Sequence, residues 1–96
     1  MYKLSNKAAD DFGNIYEFTY LNFGEEQADK YTDDIEKCLN LLAHTPLIGR
    51  ECPELSVGIR RFDHQKHAIF YRLREEDIFI VRILNQQMNP MIHLLA

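Results

Sequence analysis

Five arginines fall within 23 residues of one another in the second half of the chain: Arg60 and Arg61, Arg72 and Arg74, and Arg82. A guanidinium is always charged and presents a planar fork of donors suited to carboxylates and phosphates. Set among apolar residues, as in "HAIFYRLREEDIFIVRILNQQ" over 67–87, it suits either an interface or the stabilisation of a developing negative charge. An acid or base to accompany such cations would have to come from His64, His67 or His93. The four histidines lack the close spacing of a zinc site, and no HExxH or CxxC pattern occurs. Neither a metal nor a cofactor is expected. Cys38 falls in a helical pattern and Cys52 in a loop, so both are expected as free thiols rather than a disulfide framework.

Charge narrows the choice of partner. The net charge is −4, and residues 1–50 carry all of it, with five Lys or Arg against nine Asp or Glu; residues 51–96 balance six against six. A domain that grips phosphate backbone is expected to be basic, because neutralising phosphates supplies most non-specific affinity. Direct nucleic-acid binding is therefore not expected. There is no run of about 18 apolar residues and no apolar leader, so neither a membrane span nor export is indicated, and the cytoplasm is the expected compartment.

The elements that must position these residues read clearly. Tyr2-Lys3-Leu4 suits a short first strand, and Ser5 a helix N-cap. Apolar positions Ala8, Phe12, Ile15, Tyr16, Thr19 and Phe23 recur at three and four, predicting a helix over about 6–22 with Asp10, Asp11 and Glu17 turned to water. Gly24 stops it, since glycine alone takes positive φ without steric cost. A cleaner stripe of Ala28, Tyr31, Ile35, Cys38, Leu39 and Leu42 predicts a second helix over about 25–44, antiparallel to the first. Tyr16, Tyr20, Phe23 and Tyr31 are expected in the seam between them. Pro46, Gly49, Pro53 and Gly58 mark an irregular stretch, after which the period falls to two.

Strands are predicted at about 59–62, 67–74 and 78–84, with turns at 63–66 and 75–77 and a helical turn from Ile92 to Leu95. A helix hairpin and a small antiparallel sheet, each with one face to bury, make a single two-layer α+β domain over residues 1–96. A three-residue turn at Glu75-Glu76-Asp77 would pair Ile69, Tyr71 and Leu73 with Phe79, Val81 and Ile83 on the helix side. The opposite face would then hold Phe70, Arg72, Arg74, Ile78, Ile80, Arg82 and Leu84. Such a half-apolar face is either a partner surface or one covered by the tail, with its arginines pairing to Glu75, Glu76 or Asp63.

The order and spacing of several words resemble the toxins of the RelE/ParE superfamily, specifically its ParE branch: "GEEQADKY" at 24–31, "LLAHTPLIGR" at 41–50, "GIRRF" at 58–62, "HAIFYRL" at 67–73 and "VRILNQQMNPMIHL" at 81–94. The resemblance spans nearly the whole chain. It implies the compact fold sketched above and a type II toxin-antitoxin module for plasmid stabilisation. In such a module a ParD-like antitoxin wraps the toxin in a hetero-oligomer, and the free toxin inhibits DNA gyrase. By position it assigns Arg60 and Arg61, Arg72 and Arg82 to the family's arginine regions, so that with Phe70, Arg74, Ile78, Ile80 and Leu84 they form the candidate antitoxin groove. The tail, with Asn85, Gln86, Gln87, Met88 and His93, matches the segment associated with toxicity. Here it departs from the pattern: Asn85-Gln86-Gln87 stands before Met88-Asn89-Pro90, where ParE-like tails commonly carry a histidine, a small or basic residue and an arginine before "MDP".

No catalytic residue is assigned. The alternatives are a RelE-like endoribonuclease cutting messenger RNA on the ribosome, with Arg72 and Arg82 as its cations, and a degenerate member that binds antitoxin without toxicity. The first needs an acid–base pair that the sequence specifies poorly, because His67 falls on the core side, His64 in a turn and His93 in the tail.

Overall fold

A computed structural model describes residues 1–94, so the predicted end of the tail at Leu95 lies outside the described residues. The elements run β1 (Tyr2–Leu4), α1 (Asn6–Phe23), α2 (Glu25–His44), β2 (Arg50–Glu51), β3 (Ile59–His64), β4 (His67–Leu73), β5 (Ile78–Asn85) and α3 (Pro90–Leu94). The architecture is the expected α+β pair of layers. The five strands lie in the order β1-β5-β4-β3-β2, antiparallel except that β1 runs parallel to β5.

Ser5 starts α1 as its sequence position suggests. Its Oγ accepts from the Ala8 amide at 2.9 Å and donates to the Val81 carbonyl at 2.7 Å, while its own amide donates to the Ile80 carbonyl. One residue thus caps the helix and ties it to β5. Gly24, at φ 93°, ends α1 and opens α2 with no intervening loop, and the two helices pack as an antiparallel hairpin on the sheet. Ala8, Ile15, Tyr31, Ile35, Cys38, Leu39 and Leu42 meet Ile69, Tyr71, Ile78, Ile80 and Ile83 in the main core.

The register of the last hairpin differs from expectation. Leu73 pairs with Ile78 across a four-residue turn, so Arg74 belongs to the turn and donates through its amide to the Asp77 carbonyl. Ile78 and Ile80 consequently face the helices beside Tyr71, buried, and not the outer face with Phe70. Phe70 pairs with Arg82 but Tyr71 with Ile80, leaving Val81 as the extra residue of a β-bulge. The bulge switches parity. It lets even-numbered Ile78 and Ile80 and odd-numbered Ile83 all enter the same core, and it sends Arg82 and Leu84 to the other side.

That outer face is not bare. Cys52 and Leu55, from the segment joining β2 to β3, pack with Ile59, Ala68, Phe70 and Leu84 in a second core, flanked by Val81 and by Leu94 of α3. Phe70 is therefore a buried residue rather than a groove lining, whereas Leu84 is buried in this second core and also borders the groove beside the β5 edge. A second hairpin is tighter than predicted: β3 and β4 extend to a His64↔His67 pair, and the two-residue turn places Gln65 at φ 51°.

Candidate functional site

By register Arg61, Arg72 and Arg82 share the outer face, while Arg60 lies on the helix side and Arg74 in the turn, and the five side chains go to separate partners. Arg60 lies on the helix side opposite Tyr71 and donates to the Gly49 carbonyl at 2.6 Å, with Glu51 3.4 Å away. Arg61 lies over the Phe70 ring and pairs with Asp63 at 2.7 Å. Arg72 donates to the Val57 carbonyl and Ser56 Oγ, pinning the segment that covers the outer face. Arg74 forms a two-pronged pair with Asp77 and covers Phe79; the hydrogen bond from Arg74 holds the Asp77 carboxyl below its ordinary range. Arg60, Arg72 and Arg74 each fasten a loop or turn, and Arg61 pairs within β3.

Arg82 reaches around the sheet edge to α1. Its Nε and Nη2 donate to the two carboxylate oxygens of Asp11 at 2.8 and 2.9 Å, and Asp11 also accepts from the Ile83 amide at 3.0 Å. Asp11 was expected to face water beside Asp10; it is instead only 12% exposed at its side chain. The Asp11 hydrogen bond raises the Arg82 guanidinium further above its already high range. This pair closes one end of a groove of about 820 Å³ between the helix hairpin and the edge of β5.

The groove is mainly apolar. Ile15, Phe18 and Phe23 of α1 form one wall, Tyr31 of α2 and His67 and Ile83 of the sheet the floor, and Asn85, Met88 and His93 the far rim. Phe18 and Phe23 are 63% and 65% exposed, and Met88 is also exposed. Phe23 is thus a rim residue rather than seam packing, and Tyr20 is exposed, stacking on Tyr16. Of the four aromatic residues assigned to the seam, Tyr31 is the buried one.

Tyr31 and His67 form the polar centre of the floor. The Tyr31 hydroxyl lies 2.6 Å from His67 Nδ1. Burial lowers the pKa of His67, the neighbouring His64 and Lys66 lower it further, and Asp11 opposes them. A neutral ring with Nδ1 as acceptor and Tyr31 as donor fits this environment. His64 sits beside the same tyrosine, with its Nε2 buried and unpartnered among the described residues.

The tail residues divide in the same way. Asn85, Met88 and His93 border the groove; Gln86 donates through Nε2 to the Gln65 carbonyl at 2.6 Å and fastens the tail to the β3–β4 turn; Gln87 is exposed, its amide held by Asn85 Oδ1. The sequence places Arg82, Leu84, Asn85, Met88 and His93 among the candidates but does not point to Asp11, Phe18, Phe23 and Tyr31. The available signal was an apolar excess at 18, 20, 21 and 23, too wide for one buried helical stripe.

Chemically, the groove offers a greasy, aromatic-rimmed channel beside an exposed strand edge. That suits a peptide segment. The two arginines considered as cations for phosphoryl chemistry already hold a carboxylate and a loop carbonyl.

The model of the "ParE toxin of type II toxin-antitoxin system, parDE" matches residues 2–90. Toxin ParE1 of Mycobacterium tuberculosis is 35% identical over 89 residues, covering 92% of this chain and 91% of that protein. Toxin ParE1 of Caulobacter vibrioides is 32% identical over 93 residues, covering 97% and 96%. Among solved structures, a chain of the "Chromosomal ParDE TA system from P. aeruginosa" superposes with a TM-score of 0.75 at 27% identity, over 88% of this chain and 92% of its own.

Proposed function

The chain belongs to the ParE toxin family of type II toxin-antitoxin systems, and from that premise we propose that a ParD-like antitoxin neutralises it by docking in the groove between α1 and the edge of β5, and that the released toxin inhibits DNA gyrase. The observation that carries the docking site is the exposure of Phe18 and Phe23 on one wall of an apolar channel. Leaving such rings in water forgoes roughly 1.5–3 kcal/mol each, which a partner's apolar side chains recover. Gyrase as the target rests on the family resemblance.

The placement of the arginines supports a binding role over messenger RNA cleavage. Arg72 and Arg82 are engaged within the chain, and His67 is half-buried with a depressed pKa and its Nδ1 occupied by Tyr31. A charge-stabilising site needs cations aimed at the reacting group. Two assays test the two halves. Titration of the chain with the antitoxin from its adjoining reading frame is expected to show tight binding that Phe18→Asp weakens at least tenfold. Purified chain is expected to block gyrase supercoiling; full supercoiling at excess chain would remove gyrase as the target, and messenger RNA cut in a purified translation system would replace it with the ribonuclease reading.

A further inference from the structure

The outer edge of β5 keeps a regular pattern of backbone hydrogen bonds, and then the pattern stops. Along its first half, β1 runs parallel to β5 with Tyr2 beside Ile78, Lys3 beside Phe79 and Leu4 beside Ile80, and the Ser5 amide donates to the Ile80 carbonyl. The chain then leaves the sheet to begin α1. At the bulge, Ser5 Oγ serves the Val81 carbonyl. One step further, the Asp11 carboxylate accepts from the Ile83 amide, where the carbonyl of a continuing parallel strand would have stood.

Beyond that point the edge is open. Because the Ile83 amide points outward, so does the Ile83 carbonyl, and two residues on, so does the Asn85 amide. Among the described residues neither group has a partner, whereas the Asn85 carbonyl already accepts from Met88. A carbonyl at one residue and an amide two residues later is the pair that a single residue of a parallel strand bridges, its N–H donating to the first and its C=O accepting from the second. Antiparallel addition at Ile83 would need the Ile83 amide itself, which Asp11 holds.

We propose that the antitoxin supplies a short extended segment that joins the sheet beside β5, in line with β1 and parallel to it, with one residue bridging the Ile83 carbonyl and the Asn85 amide. This rests on the groove being the antitoxin site. The bridging residue lies next to Leu84 and shares its face; its two chain neighbours turn the other way, into the channel of Ile15, Phe18, Tyr31 and Ile83, and are apolar. A second copy of this chain does not fit the same edge, because its own β5 edge is flanked by its own α1. The segment's two hydrogen bonds set register and direction, and the Phe18 wall adds affinity.

Amide exchange by NMR on the labelled chain, free and co-purified with the antitoxin from the adjoining reading frame, decides the matter. The Asn85 amide is expected to exchange at least about tenfold more slowly in the complex, while the Ile83 amide, already bonded to Asp11, changes less. Cross-relaxation from the Asn85 amide to an antitoxin α-proton in the parallel pattern is expected with it. An Asn85 amide exchanging at its free rate, or an antiparallel pattern with Ile83 released from Asp11, overturns the proposal. Phe18→Asp reports separately: its failure to weaken the complex removes the groove, whereas an unprotected Asn85 in a Phe18-dependent complex removes only the strand.

Discussion

The Gly49 amide donates to the Tyr71 hydroxyl at 2.9 Å, and that hydroxyl donates to the Pro46 carbonyl at 2.7 Å. Tyr71 is fully buried at the centre of the sheet, and burial raises the pKa of its phenol. Together with Arg60, which holds the Gly49 carbonyl, it fixes the loop after α2 onto the strands. A side chain at Gly49 has no room: a Cβ there would lie 2.8 Å from Tyr71 Cε1.

Gly49→Ala is therefore expected to destabilise the chain by about 1–3 kcal/mol, the usual range for overpacking against a ring that cannot retreat. Tyr71→Phe should lose about 1–3 kcal/mol by a different route, since it leaves the buried Gly49 amide without an acceptor. Urea unfolding measures both. A Gly49→Ala chain as stable as the parent would mean that the loop, not the ring, gives way.

Asp11 offers a comparison of charge with hydrogen bonding. Asp11→Asn keeps an oxygen for the Ile83 amide but loses the charge facing Arg82; Asp11→Ala loses both. The alanine variant should cost about 2–3 kcal/mol and the asparagine variant about half as much, because the pair is mostly shielded and its removal strands both a guanidinium and an amide. Equal losses in the two variants would show that the ion pair alone matters.

Why the sequence showed some of this and not the rest follows from particular residues. The α2 stripe, the Ser5 cap and the Gly24 stop are local, and each was legible from its neighbours. The bulge at Val81 was not: residues 78–84 are apolar at every position but Arg82, so alternation says nothing about which face each one takes. Asp11 read as solvated because its partner lies 71 residues away. The groove has no word of its own, being the gap between one helix and a strand edge that only the fold brings together. The bulge also decides what aspartate substitutions would report.

Ile80→Asp and Phe18→Asp distinguish core from surface. In the expected register Ile80 shared an exposed face; in the structure it is fully buried, so Ile80→Asp should abolish folding, seen as loss of a cooperative unfolding transition. Phe18→Asp should keep the parent's unfolding free energy within roughly 0.5 kcal/mol while losing antitoxin affinity. A folded Ile80→Asp chain would contradict the bulged register.

His67 makes stability depend on pH near neutrality. Its folded pKa lies below the ordinary 6.5, so between those two values the unfolded chain binds more protons than the folded one. Stability is then fully present above about 6.5 and declines as the pH falls toward the folded pKa, below which it levels off. Asp77, whose pKa is lowered from 3.8, acts only in a more acid range and leaves this window clear. The groups facing the ring are Tyr31, His64, Lys66 and Asp11. Urea midpoints at about pH 7.5, 6.5 and 5.5 should fall in that order, and His67→Gln should flatten the fall. Tyr31→Phe removes the donor that favours neutral Nδ1, so it should raise the His67 pKa seen by NMR and narrow the window. An antitoxin segment covering the groove would exclude more water from the ring and depress its pKa further, so the complex should also loosen with acid. A slope that survives His67→Gln would assign the effect to another group.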